Sequence, residues 1–344
     1  MRIVVQAADL DAPRIDGTRI YLLRLLERFG ALTPQHAWHL FHRKPFNPAL
    51  TPPSFKNYEE HCIPFPCFWT QTRFSWEIMR RKPHRLFMPV QSLPFFLSTE
   101  TESIVTIHDL AFKIFPKHFP TKDLRRLNWF TDFSVRQGTR LIAVSESTKR
   151  DILTFYPDVP EKKIRVIHHG FDPIPPSTQH HAREEMAALN LFHLSPKNYV
   201  LYVGAIQPRK NLLRLLDAFT ASAERFPEMK LVLAGEAAWM SEAVFEAAQR
   251  HPFRDRIVIT DRVSFQMRAT LYRNARLFVF PSLYEGFGLP ILEAFSARVP
   301  VIVARNSSLT EVAGNAAFFL TPKKAANSKV RSKHCGKTQE NGKI

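Results

Sequence analysis

Unbroken apolar runs of strand length recur along the chain, at 2–5, 103–107, 141–144, 164–167, 199–203, 230–233, 257–259, 277–280 and 300–303. Most do not alternate with polar residues, as expected of strands covered on both faces. Between them lie segments of helical period, at 18–29, 211–226 and 267–274. Strand–helix alternation of this kind predicts an α/β fold with mostly parallel sheets, whose ligands bind at the carboxyl ends of the strands. The pattern breaks at DPIPPSTQHH, residues 172–181, where three prolines fall within five residues, and it restarts at Tyr199. We therefore expect two domains, 1–172 and 198–322, joined by a linker over 173–197 and facing each other across a cleft. Residues 323–344 carry almost no apolar positions and no helical period, and read as a disordered tail.

Composition supports two cores. A length of 344 residues exceeds what one core usually fills, and 45% hydrophobic residues supply enough material for two. No run of about 18 uncharged apolar residues occurs, so no spanning helix is expected. The opening MRIVVQAADL is too short an apolar run for a signal peptide and reads as a first buried strand. Cys62, Cys67 and Cys335 show neither CxxC nor zinc spacing. A disulfide-free cytoplasmic protein follows as the expectation. The net charge of +17 asks for anionic partners: nucleic acid, a membrane surface or acidic small molecules. Part of the excess is local, since 323–344 holds seven Lys or Arg against the single acid Glu340.

The loops that follow the predicted strands carry the candidate chemistry. Asp9–Thr18, DLDAPRIDGT, runs into the first helix; Gly17 there either bares an amide to an anion or is a turn glycine. Asp9 and Asp11 form an isolated DxD pair too close to the first strand to favour a metal. In IHDLAF, residues 107–112, His108 either faces the cleft or caps a turn. In VSESTKRDI, Ser145 and Thr148 read as helix-start residues. His168 and His169 have no third ligand at metal spacing, so no metal site is expected. VGAIQPRKNL, residues 203–212, places Gly204, Arg209 and Lys210 before a helix: a diphosphate site or a solvated basic turn.

The densest signal is PSLYEGFGLPILEA, 281–294, after the run LFVF. Pro290 suits a first helical turn. Gly286 and Gly288, with Phe287 and Leu289, lie just ahead of that helix, where backbone amides can meet a phosphate. Glu285 precedes the turn and Glu293 follows one turn into the helix; eight residues of helix would span ~12 Å. Carboxylates so placed bracket a ligand rather than share a proton or a metal. A nucleotide sugar fits that spacing, with one carboxylate on the sugar and one on the ribose.

The E-x7-E of YEGFGLPILEA, together with GAIQPRKN and IHDLAF, resembles glycosyltransferase family 4, over about 1–322 and most strongly over 199–320. VIVARNSSLTEVAGNAAFFL resembles the stretch that follows this helix in the family. The resemblance implies a GT-B architecture, two Rossmann-like domains with the acceptor side in the first and the nucleotide sugar in the second. It implies transfer with retention, a nucleotide-sugar donor, and no cofactor or metal. Carried over by position, Glu285 faces the donor sugar and, with His108, is catalytic. Glu293 holds the ribose. Gly17, Gly204, Arg209, Lys210, Gly286, Phe287, Gly288 and Leu289 approach the diphosphate. The family's frequent arginine after the strand–loop glycine is Ala205 here, and Arg209 stands in, as in a PRKN form similar to bacterial surface-polysaccharide mannosyltransferases. The expected donor is thus GDP-mannose and the acceptor a glycan or lipid-linked glycan.

Arg14, Arg19, Arg24 and Arg28 around the first helix suit either docking on anionic lipid at the inner face of the plasma membrane or an ordinary amphipathic helix. Aromatics in 61–76, HCIPFPCFWTQTRFSW, suit acceptor stacking or packing. The sequence leaves the family pattern after FFLTP, where KKAANSKVRSKHCGKTQENGKI reads as a frameshifted or truncated ending. Two rival readings follow: an inactive glycosyltransferase-like protein, and a basic nucleic-acid-binding protein. No helix-turn-helix, RRM or zinc pattern supports the second, so no nucleic-acid partner is expected.

Overall fold

The computed structural model describes residues 1–321, the side chains of 179–181 excepted; the expected tail and altered ending lie outside the described residues. Seven strands form the first sheet: β1 (Arg2–Gln6), β2 (Ala37–His42), β3 (Tyr58–Cys62), β4 (Arg85–Met88), β5 (Glu102–Ile107), β6 (Arg140–Ala143) and β7 (Ile164–Val166), in spatial order 3-2-1-4-5-6-7. Six form the second: β8 (Tyr199–Val203), β9 (Lys230–Ala234), β10 (Ile257–Ile259), β11 (Leu277–Phe280), β12 (Val301–Ala304) and β13 (Phe318–Leu320), in order 10-9-8-11-12-13. Every pairing between these strands is parallel. In both sheets the order reverses beside the first strand, the place where open α/β sheets bind ligands.

The unbroken apolar runs are explained by the layers. Along β1, Ile3 and Val5 enter one apolar cluster with Leu22 and Leu26, while Val4 enters another with Leu86 and Val105. The strand therefore needs apolar side chains at successive positions, not alternate ones. The second sheet is buried likewise, with Leu231, Val232 and Leu233 fully inside.

The helix Gly17–Leu32 covers the first sheet and the helix Leu212–Arg225 the second, through Leu22, Leu23 and Leu26 and through Leu215, Leu216 and Phe219. The stretch read as a linker holds a helix, Gln179–Asn190. Ile174, Leu189 and Leu194 from this stretch bury into the second core, and Glu185 meets Arg273 at 2.6 Å. No described helix is long and apolar enough to cross a membrane.

Candidate active site

Three charged groups meet at the carboxyl ends of β8 and β11. Glu285 Oε1 accepts from Lys210 Nζ at 2.6 Å and Glu285 Oε2 from Arg209 Nη1 at 3.1 Å. Asn211 sits in the left-handed region, φ 59°, and closes the single helical turn Pro208–Lys210 that brings both cations back over the strand ends. Arg209 also donates to the Tyr284 carbonyl at 2.6 Å, which locks the two loops together. Burial pushes the Glu285 carboxyl up, but Lys210 and then Arg209 outweigh it and hold it at about 2. Burial pulls the Lys210 ammonium below its usual range against the opposing attraction of Glu285. The cluster carries one net positive charge in a largely dry place, where electrostatic interactions are strong. Gln207 Oε1 and Arg209 Nε are buried beside it without a hydrogen-bond partner among the described residues, and groups of that kind call for one.

Glu285 was expected to face a sugar. Its two oxygens accept from the two cations expected to hold the diphosphate, a pairing that sequence spacing cannot show because it says nothing of side-chain direction. Glu293 stands apart from that cluster, in the helix Leu289–Ser296, 3.4 Å from Arg268 and hydrogen-bonded to Tyr272. Burial raises the Glu293 carboxyl above its usual range, against the pull of Arg268. The two glutamates therefore have different cations and opposite shifts, consistent with separate partners rather than one shared proton.

The glycines earn their places differently from the expectation. A Cβ on Gly286 would lie 1.8 Å from the His108 carbonyl oxygen, so the loop runs flush against the end of β5 in the other half. Its carbonyl accepts from Ser145 at 2.7 Å and from Thr148 at 3.3 Å. Gly288 has φ +119°, a conformation other residues avoid, and opens the helix Leu289–Ser296. Gly204, φ +148°, sits against the Tyr202 hydroxyl, where a Cβ would come within 2.8 Å. Gly17 starts its helix, with Asp16 as N-cap, and has no atom within 4 Å of a would-be Cβ.

His108 closes the site from the first half. Its Nε2 donates to the Pro89 carbonyl at 2.7 Å, and burial keeps the ring below its usual range. In the neutral ring this leaves Nδ1 as an acceptor. His108 stacks on His169 at 5.4 Å, both rings meet Tyr21, and His169 packs edge-on against Phe287 at 5.1 Å. Burial, then His108 and His168, depress His169 to about 3. Leu289 lies at the helix start beyond Gly288, not in this ring cluster.

The structure adds residues that sequence reading gave only structural parts. Ser145 caps its helix as expected, yet also grips Gly286 across the cleft. The amides of Glu146 and Ser147 at that helix start donate to Glu311 of the second half, and His168 bonds the same carboxylate at 2.7 Å. Tyr284 donates to Asp151 at 2.6 Å and Trp239 to the His118 carbonyl at 2.7 Å. A serine at a strand end was the only signal available for these contacts. The arginines weighed as a lipid-facing row are taken up in ion pairs: Arg14 with Glu236, Arg19 with Asp16, and Arg24 and Arg28 with Asp172. Of the DxD pair, Asp11 is held by Arg43 at 2.8 Å.

Two parallel α/β sheets meeting across a cleft, with a cationic cluster and two separated glutamates at the strand ends, define a GT-B architecture. Residues 190–332 match the family described as glycosyl transferases group 1, and residues 84–174 match glycosyltransferase family 4. The chain is thus similar to group 1 and family 4 glycosyltransferases over these two stretches, and it spans less than two thirds of the length of the curated relatives it matches. It is 30% identical over 256 residues to the O-antigen chain mannosyltransferase B of Escherichia coli, a match covering 73% of this chain and 64% of that one. Among solved structures it is similar to WaaG, a glycosyltransferase involved in lipopolysaccharide biosynthesis, with TM-score 0.68, 14% identity, and coverage of 94% of this chain and 86% of that one. It is likewise similar to Anabaena Alr3699/HepE in complex with UDP and glucose, with TM-score 0.66, 17% identity, and coverage of 94% and 86%.

Proposed function

We propose that the chain transfers mannose from GDP-mannose, with retention, to a glycan or lipid-linked acceptor in surface-polysaccharide synthesis. The observation that carries this reading is the Lys210–Glu285–Arg209 cluster set against the His108 strand end. A diphosphate arriving there meets two cations and the amides of 286–289, and Glu293 is placed for the ribose hydroxyls. As the bond from the sugar's anomeric carbon to the phosphate oxygen breaks, the developing negative charge falls on the diphosphate, where Lys210 and Arg209 stabilise it. The acceptor hydroxyl attacks from the face the diphosphate leaves, and its proton passes to the leaving phosphate oxygen. Glu285 positions the two cations, and His108 Nδ1 accepts from a sugar hydroxyl. The donor sugar is supported by the mannosyltransferase relative, whereas the similar HepE structure holds UDP.

The test is slow donor hydrolysis with water as acceptor. Wild-type protein should release mannose from GDP-mannose, seen first as the α anomer by NMR, and Lys210→Gln should cut the rate on the order of 100-fold or more. First appearance of the β anomer would overturn retention. Turnover of a UDP-sugar but not of GDP-mannose would overturn the donor assignment.

A further inference from the structure

At the edge of the first sheet, strand β3 and its neighbour β2 bring two imidazoles and a carboxylate onto one face. In the parallel register His39 lies opposite Glu59 and Phe41 opposite His61, so His39, Glu59 and His61 share that face. His39 Nδ1 and His61 Nε2 are 3.0 Å apart. Glu59 Oε2 lies 3.2 Å from His39 Nδ1, and Glu59 Oε1 lies 3.2 Å from His61 Nε2. We propose that His39, Glu59 and His61 form a binding site for a divalent transition metal, zinc foremost, that ties the edge strand β3 to β2.

Two arguments carry this. The first is geometric. Ligand atoms bound at ~2.1 Å stand about 3.0 Å apart on a face of an octahedron and about 3.4 Å apart on a face of a tetrahedron. The two imidazole nitrogens stand 3.0 Å apart and each lies 3.2 Å from one of the two Glu59 oxygens, separations within that range, and one ligand atom from each residue lies within 4.8 Å of the others. The second concerns hydrogens. An imidazole nitrogen either donates or accepts. If both nitrogens carry hydrogens toward Glu59, the two N–H groups oppose each other across 3.0 Å. If only one does, the other nitrogen turns a lone pair to the carboxylate at 3.2 Å. With Glu59 ionised, no placement of hydrogens satisfies all three contacts, and one cation does.

The donor set of two nitrogens and one oxygen suits zinc and its neighbours rather than calcium or magnesium. His39 and His61 are held against the sheet, their side chains 14% and 12% exposed, while Glu59 is 61% exposed and leaves a fourth position open to water. His61 is fixed by stacking on Phe41 at 4.5 Å. The nearby cation, Arg81, lies over Phe41 and is taken by Glu77 at 3.0 Å, which limits its opposition to a metal. An edge strand with charged residues and no outer partner gains most from such a clip.

The test uses the untagged full chain, stripped with EDTA and desalted. Zinc is titrated by calorimetry and cobalt by its visible absorption, in wild type, Glu59→Gln and His61→Gln. The chain holds 14 histidines, so the comparison of variants, not binding alone, is decisive. One equivalent should bind to wild type with a cobalt spectrum of nitrogen–oxygen ligation. Removing an outer partner of a metal ligand costs 10–100-fold in affinity, so removing a ligand should weaken binding by at least ~10-fold in either variant. Circular dichroism confirms that each variant is folded, and the exposed Glu59 gives a variant that does not disturb packing. Equal affinity in all three proteins, or no saturable binding to wild type, would overturn the site.

Discussion

Glu285 is a carboxylate whose charge state is set by two cations, and this makes the residue testable by acid. Its folded pKa, about 2, lies below the ordinary 4.5, so its contribution to stability is complete above about pH 4.5 and is lost as pH falls toward 2. The displacement corresponds to about 3 kcal/mol. His169, at about 3 against an ordinary 6.5, binds a proton more readily when unfolded, so it too loses stability on acidification, but beginning near pH 6.5. Urea midpoints measured from pH 7 to pH 3 should fall in two stages. His169→Gln should flatten the upper stage. Glu285→Gln should flatten the lower one while costing about 3 kcal/mol at pH 7, because two buried cations lose their counter-charge. A single stage untouched by either variant would contradict these roles. At this scale the sequence showed which loops would carry cations and carboxylates, since strand ends locate them. It did not show that Lys210 and Arg209 would bond Glu285 itself, or that Tyr21 would pack edge-on against His108 and His169 stack on it, because those contacts join segments far apart in the chain.

Among the elements, the GFG turn carries the sharpest contrast between glycines. Gly286→Ala puts a methyl group into the His108 carbonyl, a backbone atom that cannot yield cheaply. The turn must then shift against the first half, and a misplacement near 1 Å at such a site costs on the order of 100-fold in rate. Gly17→Ala meets no protein atom, so folding stability should hold, and any loss of donor affinity then reports a ligand passing close to that backbone. Steady-state kinetics and melting of the two variants separate these effects; a fully active Gly286→Ala would contradict the flush packing. The long buried strands were legible, and β8, β10 and β11 begin and end where the apolar runs do. Strands β2, β3, β4 and β13 were not. The histidines of AWHLFH and the charges of YEEHC hide the apolar period. An edge position explains β3 and β13, which need only one strand partner and tolerate polar or exposed side chains.

At the scale of the whole molecule, the two halves are joined by directed contacts rather than by a broad apolar face. Ser145 and Thr148 hold Gly286, Glu311 sits at a helix start of the first half, and Trp239 donates to the His118 carbonyl. The Ser145 and Thr148 contacts fall on the loop that carries Glu285, so the seam between the halves runs beside the cluster. The central claim is that this assembled site binds a nucleotide, and the most direct measurement is the thermal melt of the purified chain alone and with GDP, UDP or ADP. A ligand of the native state at 100 times its dissociation constant adds ~2.7 kcal/mol, enough to raise the midpoint measurably. GDP should raise a cooperative melt, and no such rise should occur in a Glu293→Ala variant. A cooperative melt indifferent to all three nucleotides would contradict that claim.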